Sequence, residues 1–155
     1  LTKEPLPERV DVLIEVPKGG FVKREAPAAP GGRWSVDYVS PLPSPYNYGC
    51  VPDVPGQDGD PLDAVVLGKR LRAGTRLSGG VVGVVRFWDA GKPDDKLVIG
   101  EGTLTEAQRR GLARFFKIYA LARSALNMRR GLTGNTEFIS VITREEADRR
   151  WVNPR

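Results

Sequence analysis

Gly79-Gly80-Val81-Val82-Gly83-Val84-Val85-Arg86-Phe87-Trp88 is a long, strongly β-forming run, rich in the β-branched and aromatic residues that suit a pleated, half-buried surface. Downstream, residues 96–99 make a second strand that can pair with its far end across residues 89–95. That hairpin gathers Asp89, Asp94, Asp95 and Lys96 in one turn. Upstream, residues 64–67 read as a buried strand and residues 34–39 as another, the latter followed by a proline-rich run that resists ladder pairing. Residues 10–16 end at Pro17-Lys18-Gly19-Gly20, and strand character resumes over 21–25, which predicts a hairpin between the two. Short strands at this spacing argue for a small sandwich or barrel.

Helix comes late. Thr105 and Gln108 have the capping-box spacing, and Leu112, Phe115, Phe116, Tyr119 and Leu126 recur at helical intervals, so a helix is expected over about residues 105–127. The arginines at 109, 110, 114 and 123 would mostly form its solvated face. A loop over 131–135, a strand over 136–142 and a short helix capped by Thr143 with Glu146 complete the chain.

With 155 residues the chain fits one domain, 1–155, large enough to bury a core. Its net charge of +5 attracts anions in general. There is no histidine, so a zinc site of the usual His/Cys type is excluded and any general base is a carboxylate, Lys, Tyr or metal-bound water. The lone Cys50 reads as a small buried side chain. The first ten residues carry no apolar core of signal-peptide length, and no stretch approaches the roughly 20 apolar residues of a membrane span. A soluble cytoplasmic protein is expected.

The densest chemistry lies in Asp58-Gly59-Asp60-Pro61-Leu62-Asp63. Two carboxylates 4 Å apart repel by roughly 4 kcal/mol at a near-surface dielectric, so a converging set needs something positive to hold it. The run reads either as a solvated acidic turn or as a metal site. Residues two apart in extended chain project to one side, which lets Asp58 and Asp60 face one ion, and Gly59 obstructs nothing. A calcium EF-hand loop fits worse, because its sixth and twelfth positions, Gly and Glu in that loop, are here Asp63 and Lys69. In the later turn, Asp95 reads as ordinary turn charge, whereas Asp89 and Asp94 add a second acidic cluster to a β-scaffold. Tyr48 reads more readily as packing than as chemistry.

Taken in order, Ile14-Glu15-Val16-Pro17, Lys23-Arg24-Glu25, Asn47-Tyr48-Gly49, the 58–63 run, Asp89 with Asp94 and Lys96, and Phe115-Phe116 with Tyr119 form a specific set. Through them the chain resembles the soluble family I inorganic pyrophosphatases, as a divergent member, over roughly residues 10–121. The resemblance implies a mainly β fold, an OB-like five-stranded β-barrel with flanking helices, and magnesium-dependent hydrolysis of diphosphate, with manganese left open. It makes Asp58, Asp63, Asp89 and Asp94 direct metal ligands, with Glu15 reaching metal through water. Asp60 helps deprotonate the nucleophilic water, Lys23, Tyr48, Lys96 and Tyr119 bind phosphate oxygens, and Glu25 organises the site. The family's bacterial hexamers imply a homo-oligomer.

Three positions depart from that pattern. Tyr38 stands where a phosphate-binding Arg is expected, Ser44 where an aromatic is expected, and Ala120 where Lys is expected. Losing two charge-assisted hydrogen bonds would cost roughly 3 to 6 kcal/mol. Arg123, one helical turn beyond Tyr119, is the candidate replacement. The departures keep a second reading open, a pyrophosphatase-like protein with weakened or altered activity on another phosphoanhydride, or a binding or scaffold role. An OB-type nucleic-acid module fits worst, because a surface lined with carboxylates repels phosphate unless metals intervene, so neither a nucleic-acid nor a membrane partner is expected.

Overall fold

The structure, a computed structural model, describes residues 5–25, 30–39, 42–56 and 60–150. In chain order the strands are β1 (Arg9–Val16), β2 (Val22–Glu25), β3 (Ser35–Val39), β4 (Asn47–Pro55), β5 (Pro61–Val66), β6 (Arg76–Asp89), β7 (Lys92–Pro93) and β8 (Lys96–Gly100). Helix α1 (Glu106–Arg129), strand β9 (Glu137–Thr143) and helix α2 (Arg144–Arg150) follow.

Five strands close on themselves in the order β1, β4, β5, β8, β6 and back to β1. All neighbours are antiparallel except β5 and β8, which run parallel. This is the OB-like barrel expected. At 14 residues β6 is about 46 Å long, enough for its first part to pair β1, its middle β8 and its later part β9.

Side-chain alternation along the strands divides the core in two. Val12, Ile14, Leu62, Ala64, Val66, Val84, Leu97 and Ile99 fill the barrel. The intervening positions Val65, Val85, Phe87 and Val98 face outward and pack with Leu112, Phe116 and Ala120 of α1. Full burial of an aromatic such as Phe116 contributes up to about 3 kcal/mol. This parity decides where the chemistry lies, because Asp63 shares its side of β5 with Val65 and Lys96 its side of β8 with Val98. Both therefore project toward α1, outside the barrel.

The helix forms as expected. Thr105 Oγ1 accepts from Gln108 N–H at 3.1 Å while Gln108 Oε1 accepts from Thr105 N–H at 2.9 Å, a complete capping box. At the other end Gly131, with φ +69°, lets Leu132 N–H reach Asn127 O at 2.9 Å and Gly131 N–H reach Met128 O at 3.2 Å. That Schellman closure carries the helix two residues past its expected end and fixes Arg130 as the cap. No helix among the described residues is long and apolar enough to cross a membrane.

Three expectations are corrected. Strands β1 and β2 do not form a hairpin with each other: both edges of β1 are taken by β4 and β6, and β2 pairs β3 instead. Asp95 is not a solvated turn charge. It is 3% exposed, its Oδ1 accepts from Phe87 N–H at 3.1 Å, and its Oδ2 lies 3.0 Å from Arg86 Nε. An acidic side chain can be buried when both oxygens are partnered. The strand expected over residues 64–67 begins earlier, at Pro61, which brings Asp63 into the ladder and fixes its direction.

Candidate active site

Lys96 is at the centre of the site. Its side chain is 1% exposed, and its ammonium lies 3.2 Å from Asp63 Oδ2 and 2.8 Å from Asp94 Oδ2. The Asp94 carbonyl accepts a third hydrogen bond at 3.1 Å. Local structure explains the convergence. Asp63 and Lys96 are register partners in the parallel β5–β8 pair, and Asp94 is held by its backbone N–H to Phe87 O at 2.8 Å. The ammonium also lies 5.2 Å from the Phe87 ring centre and 5.8 Å from that of Tyr48, within the range where a ring face attracts a cation.

Tyr48, on β4, donates its hydroxyl to Asp63 Oδ2 at 2.6 Å. Its place in the motif depends on Gly49: a side chain there would overlap the Leu13 carbonyl of the adjacent strand. Burial, then the negative charge of Asp63 and Asp94, holds the Tyr48 hydroxyl well above its ordinary range, so it remains a donor. Burial alone would raise Asp63, but Lys96 and Lys23, with the Tyr48 and Lys96 hydrogen bonds, hold it below the usual carboxylate range. Burial would likewise lower Lys96, and Asp94 and Asp63 more than reverse this. Asp94 goes the other way. Desolvation pushes it up to about 6, opposed by Lys96 and assisted by the like charges of Asp63 and Asp89. Its side chain keeps 35% of its surface, so the desolvation comes from surrounding protein at the foot of a cleft rather than from full enclosure.

That cleft, about 160 Å³, has Asp63, Asp94 and Tyr48 in its lining, with Tyr119, Lys23, Arg123 and Arg130 also bordering it. The structure thus brings together residues from β2, β4, β5, the 89–95 turn and α1. Tyr119 packs against Phe87, with ring centres 5.7 Å apart. Glu15 is buried on β1, with Lys23 Nζ 3.8 Å from its Oε2. Asp60 is exposed in the turn before β5, and its side chain stands outside the lining just described. Asp58 and the side chain of Glu25 lie outside the described residues. Among the departures, Ala120 is buried in the core under α1, and the side chain of Tyr38 lies outside the described residues.

Asp89 sits at the end of β6, entering a two-residue turn in which Ala90 and Gly91 both have positive φ, 49° and 80°. Arg123 Nε donates to its Oδ2 at 3.2 Å, and Asn127 Nδ2 to its Oδ1 at 2.7 Å. The Thr136 hydroxyl lies 3.3 Å from the same oxygen and accepts from Ala90 N–H at 3.1 Å. Asn127, Arg130 and Thr136 were not expected from sequence. A signal existed for Asn127: it falls eight residues after Tyr119 on the inner face of α1, where a polar side chain is costly unless it is bonded.

Cys50 is buried and free. Burial, then the charges of Glu15 and Asp63, pushes its thiol up to about 12. Since the thiolate is the reactive form, the native protein is expected to resist an aromatic disulfide reagent at pH 8, while urea-unfolded chain reacts at once. Rapid stoichiometric labelling of the native protein would contradict this environment.

The inorganic pyrophosphatase family model matches residues 12–148. Named inorganic pyrophosphatases of Haemophilus influenzae and Xylella fastidiosa are 35% identical over 92 residues and 40% identical over 97. Those alignments cover 57% and 60% of this chain, and the chain spans about half the length of these relatives, 52% and 54%. Among solved structures, the inorganic pyrophosphatase of Neisseria gonorrhoeae superposes with a TM-score of 0.73 at 27% identity, covering 92% of this chain and 86% of the other. That of Thermus thermophilus gives 0.72 at 27% identity, covering 96% and 90%. With a matching family model over most of its length and the same barrel in these structures, the chain belongs to the inorganic pyrophosphatase family.

Proposed function

We propose that the chain hydrolyses inorganic diphosphate to two phosphates with the help of divalent metal ions. The observation that carries this reading is the meeting of Asp63 and Asp94 on the buried Lys96 ammonium, at the foot of a cleft bordered by tyrosines and further cations. The donor set suits magnesium or manganese, which take oxygen ligands. Asp63 and Asp94 already converge on one cationic atom, and their mutual repulsion, with that of Asp89, is relieved by added positive charge. Among the described residues no three such side chains close on one point; Asp58 is outside them.

Asp58, Asp63, Asp89 and Asp94 would hold the ions, with Glu15 acting through water. Bound there, divalent ions supply an acidified water and neutralise charge on the departing phosphate. Lys23, Tyr48, Lys96 and Tyr119 bind the phosphate oxygens, and Arg123 supplies charge in place of the missing cations. Arg130 adds to it from the helix cap. Asp60 takes the proton as water attacks phosphorus and the bond to the bridging oxygen breaks. Glu25 organises the neighbouring cations.

Phosphate release from diphosphate should be magnesium-dependent and faster than from triphosphate or nucleoside triphosphates. No release from diphosphate at any magnesium concentration would overturn the proposal and favour the binding or scaffold reading that Tyr38, Ser44 and Ala120 motivate.

We also propose that the chain self-associates. Ile118, Leu121, Met128 and Leu132 are 50%, 74%, 78% and 49% exposed and follow one another at near-heptad spacing along the outside of α1 and its cap. Exposed Arg114, Lys117 and Arg129 flank them, so two copies of this face would repel. A heterologous contact, this face against a different one, fits better. Charging the stripe, as L121K with M128K, is expected to lower the sedimenting mass to that of a monomer; a wild type already monomeric at micromolar concentration would refute the contact.

A further inference from the structure

Asp89 is already occupied by donors of its own chain. One oxygen takes Arg123 Nε, and the other takes Asn127 Nδ2 and lies within reach of the Thr136 hydroxyl. A carboxylate offers about four acceptor directions, so little of it is left open. All three donors come from beyond the motifs that carry the family resemblance.

They are not equivalent. Asn127 and Thr136 are neutral, bond each other at 3.0 Å, and sit on Oδ1. One N–H of Asn127 and the hydroxyl of Thr136 hold Oδ1 to α1 and to the residue before β9, and the other N–H of Asn127 ties the two donors together. Arg123 alone brings charge, and it does so at Oδ2, with side chains on both sides about one fifth exposed. A divalent ion bound to that oxygen at about 2.1 Å would face a full positive charge 3.2 Å from the same atom. The two cations compete. The guanidinium has somewhere to go, because Arg123 already borders the cleft that holds Tyr48, Asp63 and Asp94.

We propose that Arg123 is an internal counter-ion of Asp89 that a divalent ion displaces, and that the displaced guanidinium then binds phosphate oxygens in the adjoining cleft. Asn127 and Thr136 keep Asp89 aimed while Arg123 leaves. Metal loading and anion binding are thereby coupled through one side chain. The proposal rests on the reading of Asp89 as a metal ligand, and its test separates the two.

The test is calorimetric titration of the full chain with Mg²⁺, alone and with the non-hydrolysable methylenediphosphonate present. Without anion, R123Q should bind Mg²⁺ about tenfold more tightly than wild type, whereas R123K, which keeps the charge, should stay within about twofold. The gain in Mg²⁺ affinity that methylenediphosphonate gives the wild type should shrink in R123Q. Loss of a merely structural contact would weaken Mg²⁺ binding, so equal or weaker binding by R123Q overturns the counter-ion role. D89N should lose Mg²⁺ affinity; wild-type affinity in D89N would instead overturn the reading of Asp89 as a ligand.

Discussion

Replacing Lys96 by methionine should cost about 3 to 5 kcal/mol of folding stability at neutral pH, the scale for removing one partner of a buried ion pair. Methionine fills much of the same volume and keeps contact with Phe87 and Tyr48, so the loss isolates the charge. Without the ammonium, Asp63 and Asp94 face each other with no cation between them. The deficit should shrink as pH falls, because Asp94, already raised to about 6 in the wild type, would take up its proton at still higher pH in the variant. In the wild type the signs are opposite for the two partners. The raised Lys96 pKa contributes stability that is full below the unfolded value of about 10.4 and lost as pH rises past the folded one. The lowered Asp63 pKa contributes stability present above about 3.9 and lost as pH falls through its folded value. Urea unfolding of both proteins between pH 5 and 9 measures the deficit and its decline as Asp94 takes up its proton; a cost below about 1 kcal/mol at pH 7 would show that the ammonium does not hold the carboxylates together.

Asp63→Asn should lower diphosphate turnover by about 10² to 10³-fold, the scale for losing one group that stabilises developing charge. The variant is nearly isosteric and leaves Lys96 paired with Asp94 at 2.8 Å, so its folding penalty should be well below that of Lys96→Met. Asp63 accepts from both Tyr48 and Lys96, so under the proposed function its charge would orient two anion-binding groups as well as serve as a metal ligand. Part of the lost rate should therefore return at high magnesium and part should not. Phosphate release measured across a magnesium titration separates the two parts. Turnover equal to wild type at every magnesium concentration would remove Asp63 from the site.

Much of this site is legible in the sequence through its ordered motifs, which single out Tyr48, Asp63, Asp94 and Lys96. The buried strand expected over 64–67 stops short of Asp63, and its start at Pro61 is what brings that carboxylate into the ladder. The capping box at Thr105 and the spacing of Phe115, Phe116 and Tyr119 set the helix that roofs them. What stayed hidden depends on pairing across long stretches of chain. Nothing local in residues 10–25 reveals that β1 has both edges occupied and that β2 turns to β3 instead. Asp95 looks like any turn aspartate until Arg86, nine residues earlier on β6, is seen beside it. Arg123 was placed on the Tyr119 face by helical spacing, as the structure has it. Its partner Asp89, 34 residues away, and the Asn127–Thr136 pair that completes the cradle are matters of tertiary packing.

The idea beneath all of these expectations is that the carboxylates around Lys96 accept divalent ions. Anomalous scattering from crystals grown with Mn²⁺ tests it most directly. Manganese should appear bonded to oxygens of Asp63 and Asp94 at about 2 Å, the distance of a small hard cation from carboxylate, with the Lys96 ammonium drawn aside. Saturating Mn²⁺ that leaves both carboxylates on Lys96 alone, with any manganese bound elsewhere on the surface, would contradict it.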